Sequence, residues 1–143
     1  MIKRLAHVCF FSDQPLELVA FYQKAFGFPI AFEMNSDEGS PIGWYLDCGD
    51  DTFIEIFDQS GAVKKWGGEV VAMKQGGPTF YRHFCLEVTD LEALRASLLE
   101  KDISATDIIM GIDNSYQCWI KDPDGNDVEL MQYTENSLQF SRR

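Results

Sequence analysis

Short runs of alternating apolar and polar residues are interrupted twice by stretches of helical period. Residues 4–12, RLAHVCFFS, are rich in apolar residues and close on Ser12 and Asp13, which predicts a strand. In PLELVAFYQKAFG, Leu16, Val19, Ala20 and Phe26 recur at helical spacing, Pro15 suits a first turn and Gly27 a C-terminal cap. FPIAFEM, GWYLDCG and TFIEIFD then read as strands, so the order is β-α-β-β-β. The second half repeats it. YRHFCLEVT is a strand, and DLEALRASLLEKD is a helix with Asp90 as N-cap and Leu91, Leu94 and Leu98 on one face. SATDIIMGI, YQCWIKD and DVELMQY are strands, the last two joined by the tight turn DPDGN. The Gly-rich segment between the halves has no clear period and reads as a linker, with a short ordered piece around Val70 to Met73. The expected organisation is one domain: module one 1–58, linker 59–79, module two 80–135 and a tail 136–143.

The two modules align residue by residue. The chain has two histidines, His7 and His83, 76 positions apart, each followed by apolar, Cys, apolar. Glu55 and Glu129, 74 positions apart, each interrupt an apolar strand. The same alignment sets Tyr45 over Trp119, Leu46 over Ile120 and Asp50 over Asp124, as a duplicated unit would.

A carboxylate among apolar neighbours costs several kcal/mol unless a cation or strong donors compensate. Arg82 and Lys121 are candidate partners on adjacent strands, but two such glutamates and two such histidines at matched positions point to a shared metal site. Because side chains alternate along a strand, His7, Cys9 and Phe11 share a face, as do Phe53, Glu55 and Phe57. His83, Cys85 and Glu87 share one, and so do Asp127, Glu129, Met131 and Tyr133. If these faces line one concavity, two nitrogens and two oxygens converge, a set suited to a divalent transition ion with positions left open. Cys9 and Cys85 lie one pleat-repeat, roughly 7 Å, from the histidines and are expected to line the pocket.

Composition narrows the classes. The 143 residues are 45% hydrophobic and 24% charged, which reads as globular. A formal net charge of −11 argues against nucleic-acid and anionic-membrane partners. No apolar run is long enough to span a bilayer, and the N-terminus does not read as a secretory signal, so a cytoplasmic protein is expected. Cys9, Cys48, Cys85 and Cys118 form no CxxC pair and are expected to be free thiols. Neither phosphate-binding glycine motif is present.

The two βαβββ modules, the opening-strand histidines, the DPDGN turn and VELMQY resemble the vicinal oxygen chelate superfamily over nearly the whole chain. That superfamily includes glyoxalase I, bleomycin-resistance proteins, fosfomycin-resistance enzymes, methylmalonyl-CoA epimerase and extradiol dioxygenases. The resemblance implies an α+β fold, a curved eight-stranded half-barrel with helices outside, around one metal ion. It implies a homodimer, with modules pairing within one chain or across the dimer. The set His7, Glu55, His83 and Glu129 looks like that of bacterial-type glyoxalase I, which implies nickel or cobalt, with zinc, manganese or iron as alternatives. The implied activity is that of a lyase or isomerase on a small hydroxy-carbonyl or hemithioacetal substrate, through an enediolate, with Glu129 or Glu55 as the base. Alternatives are a drug- or antibiotic-binding protein, an epimerase-like member or a dioxygenase. Glyoxalase I would carry an arginine where Phe11 stands and an asparagine where Gln59 stands. These departures count against glutathione itself. Phe11, Phe53, Phe57 and Tyr133 suggest a more apolar substrate surface, with Met131, Cys9 and Cys85 beside them.

Overall fold

The computed structural model describes residues 3–72 and 81–140. The chain divides into two compact units, Met1–Lys74 and Gln75–Arg143, each with its own four-stranded mixed sheet. The tandem modules are as the periodicity predicts, and the α+β class is as the resemblance implies.

In the first unit β1 (His7–Ser12) is followed by α1 (Pro15–Phe26), β2 (Ile30–Asn35), β3 (Pro41–Gly49) and β4 (Thr52–Asp58), in spatial order β1-β4-β3-β2. β1 runs parallel to β4, so the chain must cross over between them, and α1 belongs to that connection. The Ser12 hydroxyl accepts the Gln14 amide as the chain turns into the helix. Gly27 ends the helix at φ 74°, a left-handed conformation that a Cβ disfavours. The predicted helix is present, but its buried face is Leu18, Val19, Tyr22 and Ala25, while Leu16 is 63% exposed. The bulky Tyr22, fully buried, sets the phase that Leu16 and Ala20 suggested wrongly. Trp44, Leu46, Ile54 and Ile56 of the sheet complete this core.

The linker expected from residue 59 begins instead with a helix, α2 (Gln59–Trp66). Asp58 caps it by accepting the Gly61 amide at 2.7 Å. Gln59 is buried and acts as a clamp: its amide donates to Val71 O at 2.9 Å and to Asp13 at 3.0 Å, and accepts from Val71 N at 2.8 Å. Of the ordered piece expected around Val70–Met73, Val70 and Val71 have no regular structure, and Met73 lies outside the described residues.

The second unit runs β5 (His83–Glu87), α3 (Leu91–Glu100), β6 (Ile109–Met110), β7 (Tyr116–Lys121) and β8 (Asp127–Gln132), in order β5-β8-β7-β6. Asp90 caps α3 through the Ala93 amide, as its position predicts, and Leu91 and Leu98 are buried. The strand expected over 104–112 shrinks to two residues. Arg95 accounts for part of this: it donates to Thr106 O and pairs with Asp107, holding that stretch toward α3. In the DPDGN turn the Asp122 carboxylate accepts the backbone amides of Asp124 and Asn126 and the Asn126 side chain. The described part of the expected tail holds a short 3-10 turn, Leu138–Phe140, and a buried contact between Ser137 and Ser115 hydroxyls at 2.8 Å. No helix among the described residues is long and apolar enough to cross a membrane.

Candidate metal centre

Parallel pairing places the chemistry. On β1 and β4 the register sets His7 opposite Phe53 and Cys9 opposite Glu55. On β5 and β8 it sets His83 opposite Asp127 and Cys85 opposite Glu129. In each unit the histidine therefore sits one pleat-repeat before the cysteine that faces the glutamate, on one face of the sheet. The imidazole bends along that face to the carboxylate. His7 Nε2 lies 3.3 Å from Glu55 Oε2, and His83 Nε2 lies 3.2 Å from Glu129 Oε2. The opposite faces of β4 and β8, with Ile54, Ile56, Val128 and Leu130, are buried in the two cores.

Both glutamates are buried, at 7% and 6% exposure, while the histidines stay more open. Lys121, a possible partner for Glu129, is engaged by Asp127. What neighbours Glu55 is Tyr45, its direct partner on β3, and what neighbours Glu129 is Trp119, its direct partner on β7. Each ring also meets the histidine edge to face, Tyr45 with His7 at 5.7 Å and Trp119 with His83 at 4.8 Å between centroids. Sequence alignment of the halves had already paired these two aromatics, and cross-strand register was the missing step that places them against the glutamates.

Burial, then a hydrogen bond to Glu55 and its charge, push the Tyr45 phenol up to about 12. Cys9 is pushed up to about 12 by the same three causes. For Cys85 burial comes first, then the charge of Glu129 and a hydrogen bond to it, again to about 12. All four cysteines are free.

The donor pairs fit a metal. Two ligands about 2.0–2.1 Å from one ion stand roughly 2.9–3.4 Å apart in octahedral or tetrahedral geometry, and both Nε2–Oε2 separations fall within that range. Imidazole nitrogen and carboxylate oxygen suit a divalent first-row ion. Among the described residues no three His, Cys, Asp or Glu side chains converge as a metal group, so the donors come as two pairs.

The other expected pocket residues divide. Phe53 packs on Tyr45, and Phe11 and Phe57 meet edge to face, all on the face of the first pair. Met131 is buried, with the Gln139 amide 3.9 Å from its sulfur, and Tyr133 lies beyond β8 with its ring on Phe140. Gln59, which stands where glyoxalase I would carry an asparagine, spends its amide on Val71 and Asp13.

A family model for the Glyoxalase/Bleomycin resistance protein/Dioxygenase superfamily matches residues 4–130. The chain belongs to this superfamily. The superfamily fold also matches solved structures. A lactoylglutathione lyase from Agrobacterium tumefaciens is similar with a TM-score of 0.71 and 19% identity, over 92% of this chain and 95% of that one. A glyoxalase/bleomycin resistance protein/dioxygenase from Nocardioides reaches a TM-score of 0.75 at 15% identity, over 96% and 87%. A fosfomycin resistance protein from Listeria monocytogenes reaches 0.67 at 12% identity, over 96% and 99%. No curated protein matches the sequence. At these identities the likeness carries the superfamily fold and leaves the reaction to be argued from the residues.

Proposed function

We propose that this superfamily member is a metal-dependent lyase or isomerase of glyoxalase I type, in which His7, Glu55, His83 and Glu129 hold one divalent ion, nickel or cobalt by preference. The observation that carries the reading is the repeated pair: a buried glutamate within 3.3 Å of a histidine in each unit, at the same register. A single pair is half a coordination shell, so the reading has the two pairs meeting within one chain or across a homodimer in the cytoplasm. Bound there, a divalent ion would polarise the oxygens of a hydroxy-carbonyl or hemithioacetal substrate and acidify the adjacent C–H.

The chain's own residues supply the rest. The histidines bring nitrogen donors on the more open side of each pair, and the buried glutamates bring oxygens from the sheet. The proton must move between neighbouring carbons, and the carboxylates of the pairs are the bases that spacing puts within reach. Of the two, we assign proton transfer to Glu129. Tyr45 faces Glu55 across β3 and β4 and brings a phenol hydroxyl to the side of that carboxylate, while the residue at the same place beside Glu129 is Trp119, with no hydroxyl to offer. Glu55 is then the fixed anchor and Glu129 the one that moves.

Elemental analysis of the purified protein tests the ligand set. One divalent ion per chain is expected, and His83→Ala should lose affinity by more than the roughly 10–100-fold that an outer-shell partner is worth. Unchanged content and affinity in that variant would rule out the ligand assignment. Turnover of hemithioacetals made from several thiols tests the activity. A metal-loaded protein that binds them without turnover would be a sequestering protein instead.

A further inference from the structure

One pleat-repeat beyond Cys9 and Glu55, roughly 7 Å along the same face, Phe11 and Phe57 are direct partners across β1 and β4. Phe57 is buried and meets two rings edge to face, Phe11 at 6.5 Å and 86° and Trp66 of α2 at 5.1 Å and 85°. Phe11 and Trp66 remain 45% and 54% exposed. The result is an anchored ring flanked by two rings with open surface. Gly43, opposite Phe57 on β3, makes room for it: a Cβ there would stand 2.2 Å from the Phe57 ring.

The duplicated half supplies the control. At the same register beyond Cys85 and Glu129 stand Glu87 and Met131, an acid and a thioether, with the Gln139 amide at the sulfur. The donor residues are kept in both units, but the step beyond them is aromatic and open in only one. Charge points the same way. Lys65 lies 6.0 Å from the centre of the Trp66 ring but is held by Asp37, Lys64 is held by Glu38, and Arg4 by Asp51. The nearby amide of Gln59 is engaged as well. Among the described residues, the two lysines that precede Trp66 are thus already engaged by acids, in a chain of net charge −11.

We propose that Phe11, Phe57 and Trp66 seat the distal arm of the substrate, and that this arm is an uncharged aryl or aralkyl group rather than the anionic arm of a thiol such as glutathione. The assignment rests on the metal reading above. Hydroxamates test both, because each presents the same pair of vicinal oxygens to a metal and differs only in its arm. Full-length, metal-loaded protein is titrated calorimetrically with acetohydroxamate, 4-phenylbutyrohydroxamate and the monohydroxamate of glutaric acid, whose arm ends in a carboxylate. The phenyl arm should tighten binding about 10–100-fold over acetohydroxamate, and the carboxylate arm should not. Phe11→Ala and Trp66→Ala should each remove most of that gain. Acetohydroxamate affinity should be kept, which a general loss of structure would not allow. If acetohydroxamate binds but the phenyl arm adds nothing, as when a second copy of the chain covers this face, the arm assignment is overturned and the metal reading stands. A phenyl gain that survives both substitutions overturns it too. If no hydroxamate binds, both fall together.

Discussion

The two units place the same pair of donors at the same register and surround it differently. In the first, Glu55 faces a phenol and His7 sits beside Phe53; in the second, Glu129 faces an indole and His83 sits beside Asp127, which Lys121 engages. One step further, Phe11 and Phe57 contrast with Glu87 and Met131. Duplication kept the histidine, cysteine and glutamate at the same register, and divergence fell on the residues around them. The asymmetry is what separates the two glutamates in the proposed mechanism.

The strongest way to break this comparison is to exchange the glutamates for glutamine one at a time. Glu129→Gln should lower kcat by about 10²–10⁴ with the ion retained, whereas Glu55→Gln should act chiefly on metal affinity. Equal losses of kcat in both variants would erase the distinction between anchor and base. Full activity in both at full occupancy would remove either carboxylate from proton transfer.

Next in size is a packing test. Gly43→Ala should force the Phe57 ring to move and cost about 1–3 kcal/mol in chemical denaturation. Gln117 is the corresponding partner of Met131, and Gln117→Ala should cost less. Similar costs at both positions would mean that Phe57 is not held as described.

The smallest effect is on thiol chemistry. Cys9 and Cys85 are both raised to about 12 from 9.0, so they stay protonated at pH values where a free thiol has ionised. Their alkylation at pH 9 should run at least ~10-fold below that of an unhindered thiol and keep rising with pH beyond it. Removing the local charge should act locally: Glu55→Gln should speed Cys9 alone and Glu129→Gln Cys85 alone, as mass spectrometry of the labelled peptides would show. Crossed or absent responses would contradict the pairing of thiol and carboxylate.

The modules and the donor positions were legible because both signals are one-dimensional. Period two fixes which residues share a face, and two histidines in equivalent strands leave little choice of alignment. What depends on three-dimensional register was harder to read. Tyr45 matters because β3 pairs with β4 at Glu55, and Trp66 because α2 returns it to Phe57. The helix itself was hidden: QSGAVKKW is short, contains Gly61 and runs into Gly67 and Gly68, so composition masked a segment that Asp58 caps. For α1, Leu16 matched helical spacing as well as Leu18 did, and only packing around Tyr22 chose between them. Gln59 shows another such case: its side chain holds Val71 and Asp13, partners that no local pattern names.

The parallel pairing of the opening and closing strands has a consequence for how each unit forms. His7 and Glu55 are 48 residues apart, and His83 and Glu129 are 46 apart, so neither pair exists until almost a whole unit has been threaded together. Closure entropy grows only with the logarithm of loop length, so the two pairs face nearly the same entropic barrier and neither has a head start. Such long-range pairing is slow compared with forming α1 or α3. During synthesis each histidine leaves the ribosome well before its glutamate, and the two can meet only as the crossover closes.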